Sequence, residues 1–231
     1  MSVVSLPELV EIPSAVFVMG NDDGREDERP AHRVALAAFR AAVAPVSNAE
    51  YARFVAETGY EAPPFGADAR FSGPGQPAVG ISWFDASAYC EWLAKETGVA
   101  VRLPTEAERE FAALGGLERA AWPWGDGHHS AAEAVNAADG PHTPMEACAN
   151  GYGLRCMAEN VHEWCSDWYG AGYYALSPVE GPAGPPAGKR RASRGGAWRH
   201  KDKFTRVTAR SSIPPEFRYS DYGFRVYVSV G

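Results

Sequence analysis

Long apolar runs are missing from these 231 residues. None approaches the roughly 20 residues that cross a bilayer as a helix, so no membrane partner is expected. Met1 to Gly20 has no basic start and carries Glu8 and Glu11, unlike an export signal. Cysteine is scarce. The four, at positions 90, 148, 156 and 165, form no Cys-x-x-Cys pair, which excludes a disulfide scaffold. With no export signal, a reducing, cytoplasmic setting and free thiols are expected. The chain also lacks a Gly-x-Ser-x-Gly elbow, a P-loop, a Gly-x-Gly-x-x-Gly after a strand and a His-Glu-x-x-His pair. Hydrolase and nucleotide-dependent mechanisms therefore have no support. No repeat of fixed period points to a solenoid or propeller.

Glycine and proline, by contrast, are plentiful. The 24 Gly and 18 Pro predict a loop-rich fold with little regular structure. The 45% hydrophobic and 22% charged residues are those of an ordinary globular chain and exclude disorder. Residues 1–231 read as one domain. The Pro- and Gly-rich stretch 178–188 is a surface loop, because the segment after it is too short for an independent core.

The net charge of −7 conceals an asymmetry. Lys189 to Arg210 holds nine basic residues and one acid, a local +8, so the remainder carries −15. Such a strip either pairs with the protein's own acids or meets an anionic ligand. It lacks the interleaved aromatics of a nucleic-acid groove beyond Trp198 and Phe204, so no nucleic-acid partner is expected.

Three capping boxes predict helices: Ser47 with Glu50, Ser82 with Asp85, and Thr105 with Glu108. The first helix spans about 48–58, with Tyr51, Phe54 and Val55 inward. The second spans about 83–96, with Phe84, Ala88, Tyr89, Trp92 and Leu93 as its apolar face. Strands are predicted at 15–19, 32–36, 192–194 and 224–230. The fold class is α+β.

A set of motifs then follows in order over nearly the whole chain. They are Phe17-Val18-Met19-Gly20, Pro45-Val46-Ser47-Asn48, the run from Val79 to Trp92, Arg102 to Glu110, Asn150 to Trp168, Ser193 to Trp198, and Gly223-Phe224-Arg225. In these the sequence resembles the sulfatase-modifying-factor family, the formylglycine-generating-enzyme-like domain. The resemblance implies a C-type-lectin-like α+β fold that often binds calcium. It also implies one of several activities: copper-dependent oxidation of a sulfatase cysteine, iron-dependent sulfoxide synthesis, or ligand display without chemistry.

The departures from that pattern carry as much information. The family's oxidases hold copper(I) on a cysteine pair just after Arg-Gly-Gly, and soft thiolates suit copper(I). Here Arg194-Gly195-Gly196 is followed by Ala197-Trp198-Arg199-His200 and no cysteine, with His200 at the first cysteine's position. The family's two disulfides would fall at Cys90 with Val226 and at Ala113 with Val207, so neither can form. Its calcium sites would use Glu163 with the Val161 carbonyl, and Asn136 and the Ala137 carbonyl with Asp139. At the first of these, Cys156 stands where an oxygen ligand is usual, and a hard calcium ion rejects sulfur.

His162 stands where the oxidases place a tryptophan in the active-site pocket, so the resemblance puts His162 and His200 in one cavity. Two imidazoles with a third donor can bind a transition metal, iron or copper. Cys156, Cys165, Glu159 and His142 are the third-donor candidates. In the competing reading, both histidines merely pack and hydrogen-bond. The spacing of Cys156, His162 and Cys165 matches no zinc ribbon. His128 and His129 follow a turn and read as solvated. Trp198, Arg199, Lys201 and Lys203 flank His200 and are candidates to bind an anionic small molecule or peptide substrate. Two functions follow: a divergent metal-dependent oxidoreductase, or a non-catalytic binding module.

Overall fold

The computed structural model describes residues 4–127 and 139–230. The predicted helices form as α1 (Asn48–Thr58), α2 (Trp83–Thr97) and α3 (Glu106–Leu114). All three capping boxes close in both directions, and each helix stops at a glycine in the left-handed conformation, Gly59, Gly98 or Gly115. Helices α1 and α2 meet through aromatic rings: Tyr51 stacks on Tyr89 at 5.9 Å, and Phe54 lies 5.4 Å from Trp92. The buried stripe of α2 is Ala86, Tyr89, Cys90 and Leu93. The predicted face is corrected at Phe84, which is 52% exposed. Positions 86, 89, 90 and 93 share one side at helical spacing, and position 84 falls outside it.

The strands are β1 (Leu9–Ile12), β2 (Ala15–Met19), β3 (His32–Leu36), β4 (Phe39–Ala42), β5 (Val101–Arg102), β6 (His162–Trp168), β7 (Arg191–Arg194), β8 (Ser211–Ile213), β9 (Tyr222–Gly223) and β10 (Tyr227–Ser229). They make a sheet in the order β1-β4-β10-β5, a β2-β3 hairpin, and a second sheet in the order β8-β7-β6-β9. Only β6 and β9 pair in parallel among the described strands.

The single strand expected at 224–230 is corrected. The chain leaves the second sheet after β9 and enters the first at β10. Between them, Phe224 O accepts from Val46 N at 2.9 Å and Val226 O from Ala42 N at 3.0 Å. Arg225, 0% exposed, sends its guanidinium to Glu163 and to the carbonyls of Ala42, Val43 and Arg155. This link is pinned between two sheets, so it belongs to neither ladder.

Two large apolar clusters fill the core, and a small third one gathers Phe71, Val79 and Val161. Of the large ones, one gathers Ile12, Phe39, Phe111 and Tyr227, and the other gathers Phe54, Leu93, Trp164 and Phe224. Cys90 and Val226 share the second cluster, and Ala113 and Val207 share the first. All four cysteines are free. No described helix is long and apolar enough to cross a membrane.

Three arginines of the basic strip pair with acids of the core. Arg194 binds Glu106 at 2.9 Å and Glu110 at 2.7 Å, Arg210 binds Glu106 at 2.8 Å, and Arg206 binds Glu28 at 2.6 Å. Two neighbouring acids are engaged elsewhere. Glu108 pairs with Arg102, and Asp167 instead accepts from Glu106 N at 2.9 Å and Ser166 Oγ at 3.1 Å. Burial, with Glu106 nearby, pushes the Asp167 carboxyl up to about 7.

Candidate metal centre

Strand β6 opens with His162, whose backbone N donates to Asp221 O at 2.8 Å, just before β9. This parallel pairing sets Asp221 beside His162. His200 arrives from β7. After Arg194 the chain turns through Gly195 and Gly196, at φ +98° and +68°. A Cβ on Gly195 would sit 2.8 Å from Arg109 Nη2, and one on Gly196 would sit 2.6 Å from Thr205 Cγ2, so the turn accepts only glycine. Trp198 N then donates to Asn160 O at 2.9 Å and His200 N to Ala197 O at 2.8 Å, which folds His200 over His162.

The two imidazoles meet edge to face, with centroids 4.9 Å apart. One ligand atom from each of His162, His200 and Asp221 lies within 4.8 Å of the others. His162 stacks on Tyr222 at 4.7 Å and is 4% exposed; Asp221 is 1% exposed. The His200 side chain, 28% exposed, faces the solvent side. His162 Nδ1, His200 Nδ1 and Asp221 Oδ1 are buried and have no hydrogen-bond partner among the described residues. Burial holds the His162 imidazole well below its usual pKa, and His200, Arg199 and Arg109 add to this. His200 is also lowered by burial; Asp221 opposes the shift and Arg199 reinforces it. Both rings are therefore neutral near pH 7, the form that ligates a metal.

Other sequence candidates land differently. Arg199 is not an unengaged cation for substrate: its Nε donates to Asp221 Oδ2 at 2.8 Å, because the buried carboxylate needs a counter-charge. Lys201 and Lys203 are exposed, with the Lys203 ammonium 4.9 Å from the Phe204 ring centroid. Trp198 packs beside Phe71 at 6.1 Å, with a buried indole N–H that has no partner among the described residues. Of the third-donor candidates, His142, Cys156 and Glu159 gather in a separate cluster, while Cys165 Sγ sits over Glu163 O at 3.9 Å. Asp221 takes that place instead. No spacing signature marks it in Ser220-Asp221-Tyr222, and only the pairing of β9 with β6 reveals it.

At Val161 and Glu163, where calcium was expected, the carboxylate already has partners. Glu163 Oε2 accepts from Arg109 Nε at 2.7 Å and Arg225 Nε at 3.1 Å, and Oε1 accepts from Arg225 Nη2 at 2.8 Å. Two buried guanidiniums compete for this carboxylate and repel a dication. Asp139 is 84% exposed and lies 3.6 Å from Arg70. Asn136, Ala137, His128 and His129 lie outside the described residues. A copper(I) thiolate pair does not fit the centre either, because its donors are two imidazoles and a carboxylate.

The model of the sulfatase-modifying factor enzyme 1-like domain matches residues 2–230. The chain is 34% identical to the formylglycine-generating enzyme of Streptomyces coelicolor, over 94% of its own length and 87% of that protein's. It is 37% identical to the serine/threonine-protein kinase pkn1 of Chlamydia pneumoniae over 95% of its length, but spans only 38% of that protein. Among solved structures, PvdO from Pseudomonas aeruginosa superposes with a TM-score of 0.85 at 28% identity, covering 97% of this chain and 95% of that one. The fold is thus the C-type-lectin-like one of formylglycine-generating proteins.

Proposed function

Because the chain belongs to the sulfatase-modifying factor enzyme 1-like family, we propose that it is a divergent metal-dependent oxidoreductase of that family, acting on an anionic small molecule or peptide. The observation that carries this reading is the set of three orphaned, buried donor atoms on His162, His200 and Asp221. Ligating groups left without partners in a protein interior cost free energy unless something binds them. Two histidines and one carboxylate are the donor set that suits iron(II) and leaves coordination positions open. Iron bound there would supply redox chemistry with dioxygen.

This chain's own residues have clear duties in that reading. Tyr222 fixes the plane of His162 by stacking. Arg199 orients Asp221 through the 2.8 Å contact of its Nε. Lys201 and Lys203, exposed beside His200, draw an anionic substrate toward the open side. The proposed setting is a reducing, cytoplasmic one, in keeping with buried free thiols at positions 90, 156 and 165.

The alternative is a non-catalytic binding module. It is favoured by the Arg199–Asp221 pair, which already satisfies half of the carboxylate without a metal. Anaerobic iron(II) titration by calorimetry separates the two. The oxidoreductase reading expects one equivalent in the wild type and loss in His162→Ala and Asp221→Ala, with the circular dichroism spectrum unchanged. Absence of binding in the wild type would transfer the case to the binding module. Formylglycine formation on a Cys-x-Pro-x-Arg peptide is not expected even with copper supplied, because the thiolate pair is missing.

A further inference from the structure

A second group of donors lies outside that centre. His142, Cys156 and Glu159 each bring one ligand atom to within 4.8 Å of the others. Cys156 Sγ lies 3.4 Å from His142 Nε2. Cys156 is 1% and Glu159 7% exposed, while His142 is half-buried and borders the solvent side.

The backbone is bent to make this grouping. Cys156 at φ +57° and Asn160 at φ +82° are the two non-glycine residues of positive φ among those described. Asparagine tolerates this region, whereas cysteine there costs on the order of 1 kcal/mol, and such strain persists where something over-determines it. Asn160 braces both sides. Its Oδ1 accepts from His142 N at 3.0 Å, its Nδ2 donates to His142 O at 3.0 Å, and Nδ2 lies 3.5 Å from Cys156 Sγ. The loop carrying His142 is thereby clamped to the segment carrying Cys156 and Glu159.

We propose that His142, Cys156 and Glu159 form a site for a thiophilic divalent cation, zinc by its donor set. Zinc accepts one thiolate, one imidazole and one carboxylate in a tetrahedral shell, with the fourth position open to solvent beside His142. Calcium and magnesium refuse the sulfur, and copper(I) prefers more of it. One thiolate and one carboxylate balance the two charges of the ion, so the occupied site is neutral in a buried setting. Its place in the fold gives it a purpose. Asn160 lies two residues before His162, and its carbonyl receives Trp198 N at 2.9 Å. An ion here ties together the loop of His142, the entry to β6, and the loop that carries His200.

The test uses the full chain purified without a metal-affinity tag. Zinc content is measured, and zinc is then exchanged for cobalt(II), whose thiolate charge-transfer band in the near ultraviolet reports a bound cysteine. One equivalent of zinc and the cobalt band are expected in the wild type and in the His162→Ala/His200→Ala double variant. Both should be lost in Cys156→Ser and in His142→Ala. His142 is half-buried, so its variant decides the matter if Cys156→Ser fails to fold. A wild type that binds neither ion, or a thiolate band that survives His142→Ala unchanged, would overturn the proposal. Because the double variant removes the first centre, the two sites stand or fall separately.

Discussion

Replacing Glu163 with glutamine removes one negative charge from between two arginines in the interior. Glu163 and Arg225 are 0% exposed at their side chains and Arg109 is 1% exposed. The remaining guanidinium nitrogens reach only carbonyls: Met157 O for Arg109, and Ala42 O, Val43 O and Arg155 O for Arg225. Glutamine keeps the shape and one acceptor oxygen, but leaves two cations with no carboxylate in hydrogen-bond contact. Removing one partner of a buried ion pair costs about 3–5 kcal/mol. For a chain of this size each kcal/mol moves the melting temperature by about 2–4 °C, so Glu163→Gln should melt roughly 6–20 °C below the wild type. The assay is thermal unfolding followed by circular dichroism, run once in excess calcium and once in chelator. A variant that melts within about 2 °C of the wild type would refute the ion-pair reasoning. So would a wild type stabilised by calcium whose response vanishes in Glu163→Gln, since that result makes Glu163 a calcium ligand.

Two further outcomes are expected. The Asp167 carboxyl sits near 7 in the folded chain against an ordinary value of 3.8, so its stabilising share is complete below pH 4 and lost as pH rises through 7. Asp167→Asn mimics the protonated form and should raise stability at pH 8 by about 2–4 kcal/mol while changing little at pH 4; urea midpoints at both values check this, and equal destabilisation at both would contradict it. Native alkylation should label Cys148 alone, because Cys90, Cys156 and Cys165 are buried and burial raises their pKa; mass spectrometry should show one adduct before unfolding and four after, and two or more native adducts would contradict the packing.

The parts of this fold that were legible in the sequence are those encoded locally. A capping box lies within four residues, so Ser47, Ser82 and Thr105 announced their helices correctly. The hairpin strands β2 and β3 were marked by their own β-branched residues. The meeting of His162 and His200 was legible only through family likeness, because 38 residues and a change of strand separate them. Asp221 was not legible at all, since a two-residue parallel pairing has no sequence signature. The split between β9 and β10 was hidden for a related reason. Phe224 to Val226 has strand composition, but a buried Arg225 answering a distant Glu163 decides its path.

Strand β10 lies inside its sheet, between β4 and β5, although it comes last among the described strands. On the ribosome, β4 and β5 are complete long before residues 227–229 emerge, and until then they have no common neighbour. The same delay holds for charge. Glu163 gains its second guanidinium only with Arg225, and Glu28 meets Arg206 across 178 residues. The nascent chain carries two open strand edges until residues 227–229 join them. A truncation a few residues short of Ser229 would leave the first sheet in two pieces.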